Sequence, residues 1–132
     1  MSANVKASLG TKNYYTEISA GEHHIISDEP WEKGGENKGL KPTELLASSL
    51  ASCTAITLKM YIDRKGWTAT KINVEVDLED PDSEKTTKMT RTIEFVDADF
   101  SEEQLQRLSK IADACPVHKI LVGNTVINTH IK

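Results

Sequence analysis

The chain has 132 residues, 27% of them charged and 38% drawn from the AVILMFWYC set, which fits one folded domain spanning residues 1–132 and excludes a disordered chain. Its net charge of −4, with no Lys/Arg run, gives no general attraction to a phosphate backbone, so nucleic acid is not expected as a partner. The opening MSANVKASLG lacks a signal-peptide pattern and no segment approaches roughly 18 apolar residues, so a cytoplasmic protein without membrane contact is expected.

In chain order, Val5 to Leu9, Tyr14 to Ile18 and His23 to Ser27 are short segments separated by Gly10 and Ala20-Gly21, which predicts an antiparallel meander. The stretch from Asp28 to Lys41, DEPWEKGGENKGLK, is rich in Gly, Pro and charge and predicts a long loop. Pro42 then opens PTELLASSLASCTAITLKMYIDRKG, where proline suits a first helical turn, Glu44 complements the positive helix end and Lys65-Gly66 closes the run. The spacing predicts a helix of about 24 residues. Its apolar positions occupy most of the circumference, as in a central helix, and Ala47, Ser48, Ser49, Ala51, Ser52 and Ala55 leave room for close approach of a neighbour such as a second subunit.

Lys71 to Leu78 alternates Ile72, Val74, Val76 and Leu78 against an acidic outer face, which predicts a half-buried strand. After the turn signal EDPDSEK, Thr86 to Val96 is expected as its hairpin partner, although Met89, Ile93 and Phe95 keep an imperfect period of two. Ser101 caps SEEQLQRLSKIADAC with Gln104 three residues on, the pattern of a capping box, and Pro116 restarts a short apolar helix. Gly123-Asn124 should turn the chain into a last strand, Thr125 to Ile131.

The chemistry is concentrated in two cysteines, 62 positions apart, which is neither a CxxC nor a zinc-type spacing. A reducing cytosol keeps such residues as thiols unless they cycle catalytically. Cys53 lies in mid-helix, where backbone amides are already paired, so its activation has to come from tertiary neighbours; inert core is the alternative reading. Cys115 precedes Pro116 and so takes the cap position, where free amides at the positive helix end favour a thiolate; an ordinary small cap residue is the alternative. His118 follows three residues later, with thiolate stabilisation and packing as its two readings.

KPTELLASSLASCTA, followed far downstream by ACPVHKIL, resembles the OsmC/Ohr family of organic hydroperoxide reductases, and the likeness extends to DEP, the glycines of EKGGENKG and the run RLSKIADACPVH. It looks closest to the OsmC-like redox-protein branch. The resemblance implies an α+β, OsmC-like fold in which antiparallel sheets wrap central helices and two subunits intertwine as a homodimer with active sites at the subunit interface. It further implies that Cys53 attacks a hydroperoxide to give a sulfenic acid, that Cys115 condenses with it, and that an external dithiol reduces the disulfide. No cofactor and no metal is implied.

Family peroxidases hold the reactive thiolate with an arginine from the N-terminal half and a glutamate just after the helix-opening proline. Here the first arginine is Arg64, beyond Cys53, and Thr43 follows Pro42, with Glu44 one residue later. Glu44 precedes Cys53 by nine positions, which at about 100° per residue sets the two on opposite helix faces, so the helix N-terminus is its expected partner. His23, His24, Asp28 and Glu29 invite a metal reading, but adjacent strand residues face opposite ways and Asp-Glu-Pro ends a strand. A loop bordering the thiol pocket is the expectation.

Two function classes follow: a thiol-dependent peroxidase reducing organic hydroperoxides, an oxidoreductase with Cys53 and Cys115 as its catalytic pair, or a non-catalytic OsmC-like dimer that binds a small apolar ligand in a thiol-lined pocket. Thr43, Glu44, His118, His23, His24, Asp28 and Glu29 are the candidate supporting residues in either case. A third, structural reading with inert thiols requires the sulfurs to lie far apart.

Overall fold

The computed structural model describes residues 2–132. Three strands, β1 (Lys6–Leu9), β2 (Thr16–Ala20) and β3 (His23–Ser27), precede a single 3-10 turn at Trp31–Lys33 and the helix α1 (Pro42–Lys65). Strands β4 (Lys71–Leu78) and β5 (Met89–Val96) and helices α2 (Glu102–Asp113) and α3 (Pro116–Val122) follow. The fold is α+β with two antiparallel sheets, β1-β2-β3 and β4-β5. The chain divides into two compact units, Met1–Leu46 and Ala47–Lys132.

In the first unit the meander pairs Leu9 with Thr16 and Ala20 with His23. The loop after β3 is organised by one carboxylate. Asp28 Oδ1 accepts the N–H groups of Glu29 at 2.8 Å and Tyr14 at 3.1 Å, and Oδ2 accepts those of Lys38 at 3.1 Å and Glu36 at 3.3 Å. Burial of Asp28 pushes its pKa up, but the four amides outweigh that and hold it below the ordinary carboxylate value. The loop returns so closely that a Cβ at Gly35 would overlap the Glu29 carbonyl and one at Gly39 the Ile26 carbonyl.

In the second unit Leu58, Tyr61 and Ile62 of α1 pack with Leu108 and Ala112 of α2, and Ile72, Ile93 and Phe95 of the hairpin close over them. Edge-on ring contacts join Tyr61 to Trp67 (5.6 Å) and Phe95 to Phe100 (5.2 Å). The capping box of α2 forms: Gln104 N–H donates to Ser101 Oγ at 3.2 Å and Ser101 N–H to Gln104 Oε1 at 2.8 Å, a device worth about 1 kcal/mol.

Three expectations are corrected. β5 starts at Met89 rather than Thr86, because Asp82 Oδ1 takes the Thr86 N–H (3.0 Å) into the connecting turn. The expected strand Thr125 to Ile131 does not form; among the described residues nothing pairs with it, and Val126, Ile127 and Ile131 are 82%, 84% and 94% exposed. A strand is a property of a ladder, and this segment has the composition without the partner. Finally, α1 is long and apolar enough to meet the criterion for crossing a membrane, contrary to the reading that no segment approaches it. A core helix meets the same criterion, and Leu50, Thr54, Leu58, Tyr61 and Ile62 are buried in the protein.

Candidate active site

The two cysteines are free thiols that arrive from different elements of the second unit. Cys53 projects half-buried from the middle of α1, whereas Cys115 is fully buried at the junction of α2 and α3. The junction is set by local chemistry. Proline at position 116 cannot donate to α2 but suits a first helical turn, so α3 restarts with Cys115 as its cap. The Cys115 N–H donates back to the Ala112 carbonyl at 3.3 Å, and its own carbonyl accepts from Lys119 at 3.1 Å.

The sulfurs are hydrogen-bonded to each other, and their environments push them in opposite directions. Burial raises the Cys53 pKa, but the Cys115 S–H, the Val117 N–H and the Thr57 hydroxyl all donate to the Cys53 sulfur and together lower it below the usual thiol value. At Cys115 burial raises the pKa, donation to Cys53 and the negative charge there raise it further, and the His118 and Val117 amides only partly oppose this. Of the two thiols Cys53 is therefore the one that ionises more readily, and Cys115 the one that keeps its proton and donates it. The expectation that the cap site favours a thiolate at Cys115 is not met, whereas Cys53 draws on tertiary neighbours, as its mid-helix place required. The Val117 amide is offered to both sulfurs, the Cys115 sulfur makes no well-aligned cap bond to a described residue, and deeper burial together with donation to Cys53 keeps Cys115 the less acidic of the two.

The sulfur-to-sulfur hydrogen bond also removes the reading in which the thiols lie far apart. His118 contributes through its backbone N–H; its half-buried ring is directed at Asp113, with Nδ1 3.8 Å from Asp113 Oδ1.

Sequence reasoning missed two residues here. Thr57 lies one helical turn beyond Cys53, on the same face, and its hydroxyl reaches the sulfur. Arg91 of β5 sends Nη1 to Thr54 Oγ1 at 3.1 Å and the Ala112 carbonyl at 3.3 Å, and Nη2 to Asp113 Oδ1 at 2.7 Å. A signal for it existed: Met89, Arg91, Ile93 and Phe95 share one face of β5, so the residue that spoiled the apolar alternation was an inward-facing arginine.

The remaining candidates belong to the first unit. His23 and His24 are exposed neighbours on β3, Glu29 is half-buried, and the Asp28 carboxylate is occupied by its four amides. Thr43 is exposed, and Glu44 Oε1 accepts the Lys41 N–H at 3.0 Å, the helix-terminal role expected from its spacing. Among the described residues no group of three or more His, Cys, Asp or Glu side chains converges as a metal-binding set.

Residues 35–130, well over half of the chain, match the family model described as OsmC-like protein. The chain belongs to this family. The OsmC-like fold extends over nearly the whole chain in comparisons with solved structures. The OsmC-like protein of Mycoplasma pneumoniae superposes with a TM-score of 0.79 at 20% identity, covering 93% of this chain and 89% of that one. The organic hydroperoxide resistance protein OsmC of Legionella pneumophila gives 0.64 at 22% identity, covering 94% and 91%. OhrB of Bacillus subtilis, an organic hydroperoxide resistance protein, gives 0.61 at 24% identity, covering 94% and 93%. No curated protein matches the sequence.

Proposed function

We propose that this OsmC-like protein is a thiol-dependent peroxidase that reduces organic hydroperoxides through Cys53 and Cys115. The observation that carries the reading is the paired ionisation: a lowered Cys53 pKa maintained by hydrogen bonds, one of them from the thiol that would resolve it. The Cys53 thiolate attacks the terminal oxygen of ROOH, the O–O bond breaks, and Cys53 becomes a sulfenic acid while RO⁻ leaves. The Cys115 S–H is a proton donor already in place for RO⁻. Having given up that proton, Cys115 attacks the Cys53 sulfur, forms the disulfide and expels hydroxide, which is protonated to water. The sum is ROOH plus two thiols giving ROH, water and a disulfide, which an external dithiol reduces in a reducing, cytoplasmic setting.

The names of the solved relatives that carry organic hydroperoxide resistance support the substrate class. Stopped-flow mixing of the reduced protein with cumene hydroperoxide should show thiol loss far faster than for free cysteine, followed by a Cys53–Cys115 disulfide on mass spectrometry. Cys53→Ser should abolish the fast phase. Thiol loss no faster than for free cysteine would sink the reading and leave the ligand-binding alternative.

The active form is a homodimer in this reading. A groove of about 620 Å³ runs beside the small residues Ser48, Ala51, Ser52 and Ala55 of α1, and the apolar segment around Val126 and Ile127 lacks cover in one copy. Sedimentation should give a dimer for the full chain and a weakened one after truncation behind Gly123. A monomeric full chain would exclude this assembly.

A further inference from the structure

The arginine on β5 bonds to groups that are next in the chain to one cysteine or hydrogen-bonded to the other. Thr54, which it grips on α1, is the residue after Cys53; it is fully buried and spends its own proton on the Leu50 carbonyl at 2.7 Å, leaving its oxygen to accept from Arg91. The Ala112 carbonyl, which Arg91 grips at the end of α2, is the same carbonyl that accepts the Cys115 N–H. Asp113, the third partner, supplies the compensating charge for a guanidinium whose side chain is only 14% exposed. One planar group with fixed donor directions therefore spans the two backbones that carry the thiols.

We infer that Arg91 is a positioning residue of the dithiol: its fork on Thr54, Ala112 and Asp113 fixes the distance and orientation at which Cys53 and Cys115 meet, and so sets how readily they form a disulfide. The inference rests on the proposed two-cysteine reading, but needs no peroxide. Disulfide geometry tolerates little error: Cα atoms more than about 7 Å apart, or Cβ vectors that diverge, prevent closure without backbone movement. Misplacement by an ångström at a reacting pair is enough to cost on the order of a hundredfold in effective concentration. Arg91 does not act as the counter-ion of the thiolate, because the groups that lower the Cys53 pKa are Cys115, Val117 and Thr57.

The test equilibrates the full chain with mixtures of reduced and oxidised glutathione, in which each protein disulfide formed reduces one glutathione disulfide to two thiols, and reads the effective concentration of the dithiol. Arg91→Met keeps the stem and removes the fork; Thr54→Val removes one acceptor at constant shape; Arg91→Lys keeps the charge but not the multiple contacts. Arg91→Met should lower the effective concentration by about tenfold or more, Thr54→Val less, and Arg91→Lys should fall between wild type and Arg91→Met. Ile62→Val, which destabilises the same core away from the fork, should leave it unchanged. A folded Arg91→Met with wild-type effective concentration overturns the proposal. If that variant does not fold, wild-type values for both Thr54→Val and Arg91→Lys overturn it equally, as does a wild-type chain that forms no disulfide at any glutathione ratio. A wild-type chain that forms the disulfide but ignores cumene hydroperoxide refutes the peroxidase reading and leaves this one standing.

Discussion

Helices α1 and α3 begin in the same way, with a cap residue followed by proline: Lys41-Pro42 in one and Cys115-Pro116 in the other. Each start leaves backbone N–H groups without helical partners. At α1 the residue three beyond the cap is Glu44, whose carboxylate folds back onto the Lys41 N–H. At α3 the residue three beyond the cap is His118, the first turn holds no acidic side chain, and the Val117 and His118 amides face sulfur instead. The same local device closes a helix in one place and helps to lower a thiol's pKa in the other. What differs is whether the third position supplies its own anion.

The largest expected effect comes from removing the sulfur at the open start. Cys115→Ala should eliminate the intramolecular disulfide completely, so that peroxide leaves a persistent Cys53 sulfenic acid, detectable by dimedone labelling. It also deletes an S–H donor to Cys53, so the midpoint of the pH profile for iodoacetamide alkylation of Cys53 should move to higher pH. An unchanged midpoint would mean that the Val117 amide and Thr57 hydroxyl suffice, and that Cys115 only resolves.

A second variant makes the open start resemble the closed one. His118→Glu places a carboxylate three residues beyond Cys115, where its negative charge disfavours ionisation of the neighbouring Cys53. Alkylation of Cys53 at pH 7 should slow several-fold, while α3 itself is stabilised by the charge at its N-terminus. If the rate is unaffected, an anion at the third position does not reach Cys53, and the contrast between the two starts has no chemical content.

How much of this was legible in the sequence depends on how local each feature is. The bounds of α1 follow from Pro42 and Lys65-Gly66, the α2 capping box from Ser101 and Gln104, and β4 from the alternation of Ile72 to Leu78; each is decided within a few residues. The pairing of Cys53 with Cys115 came from the family resemblance, since a separation of 62 positions says nothing by itself about distance in space. The cap position of Cys115 pointed to a thiolate there, but its pKa is raised and that of Cys53 is lowered. Cap position predicts which sulfur is near the amides, but not which sulfur is more deeply buried or which one donates the shared proton. Arg91 was hidden differently: its place on the inward face of β5 was visible, but its partners come from α1 and α2, and no spacing rule joins residues 54, 91 and 112. The C-terminal segment from Thr125 shows the opposite failure, in which a strand-like sequence finds no ladder among the described residues.

The smallest effect should come from the closed start, and it separates charge from hydrogen bonding. Glu44→Ala loses both the acceptor for the Lys41 N–H and the negative charge beside the positive helix end, and should cost about 1 kcal/mol in chemical denaturation. Glu44→Gln keeps an oxygen in reach of that N–H and loses only the charge, so its cost should be no more than a few tenths of a kcal/mol and should shrink as salt is added. Neither substitution should shift the alkylation profile of Cys53, because nine helical positions turn Glu44 to the opposite face of α1. A shift in either variant would show that Glu44 reaches the thiol by way of another copy of the chain, and the two proline-started helices would then be parts of one electrostatic arrangement.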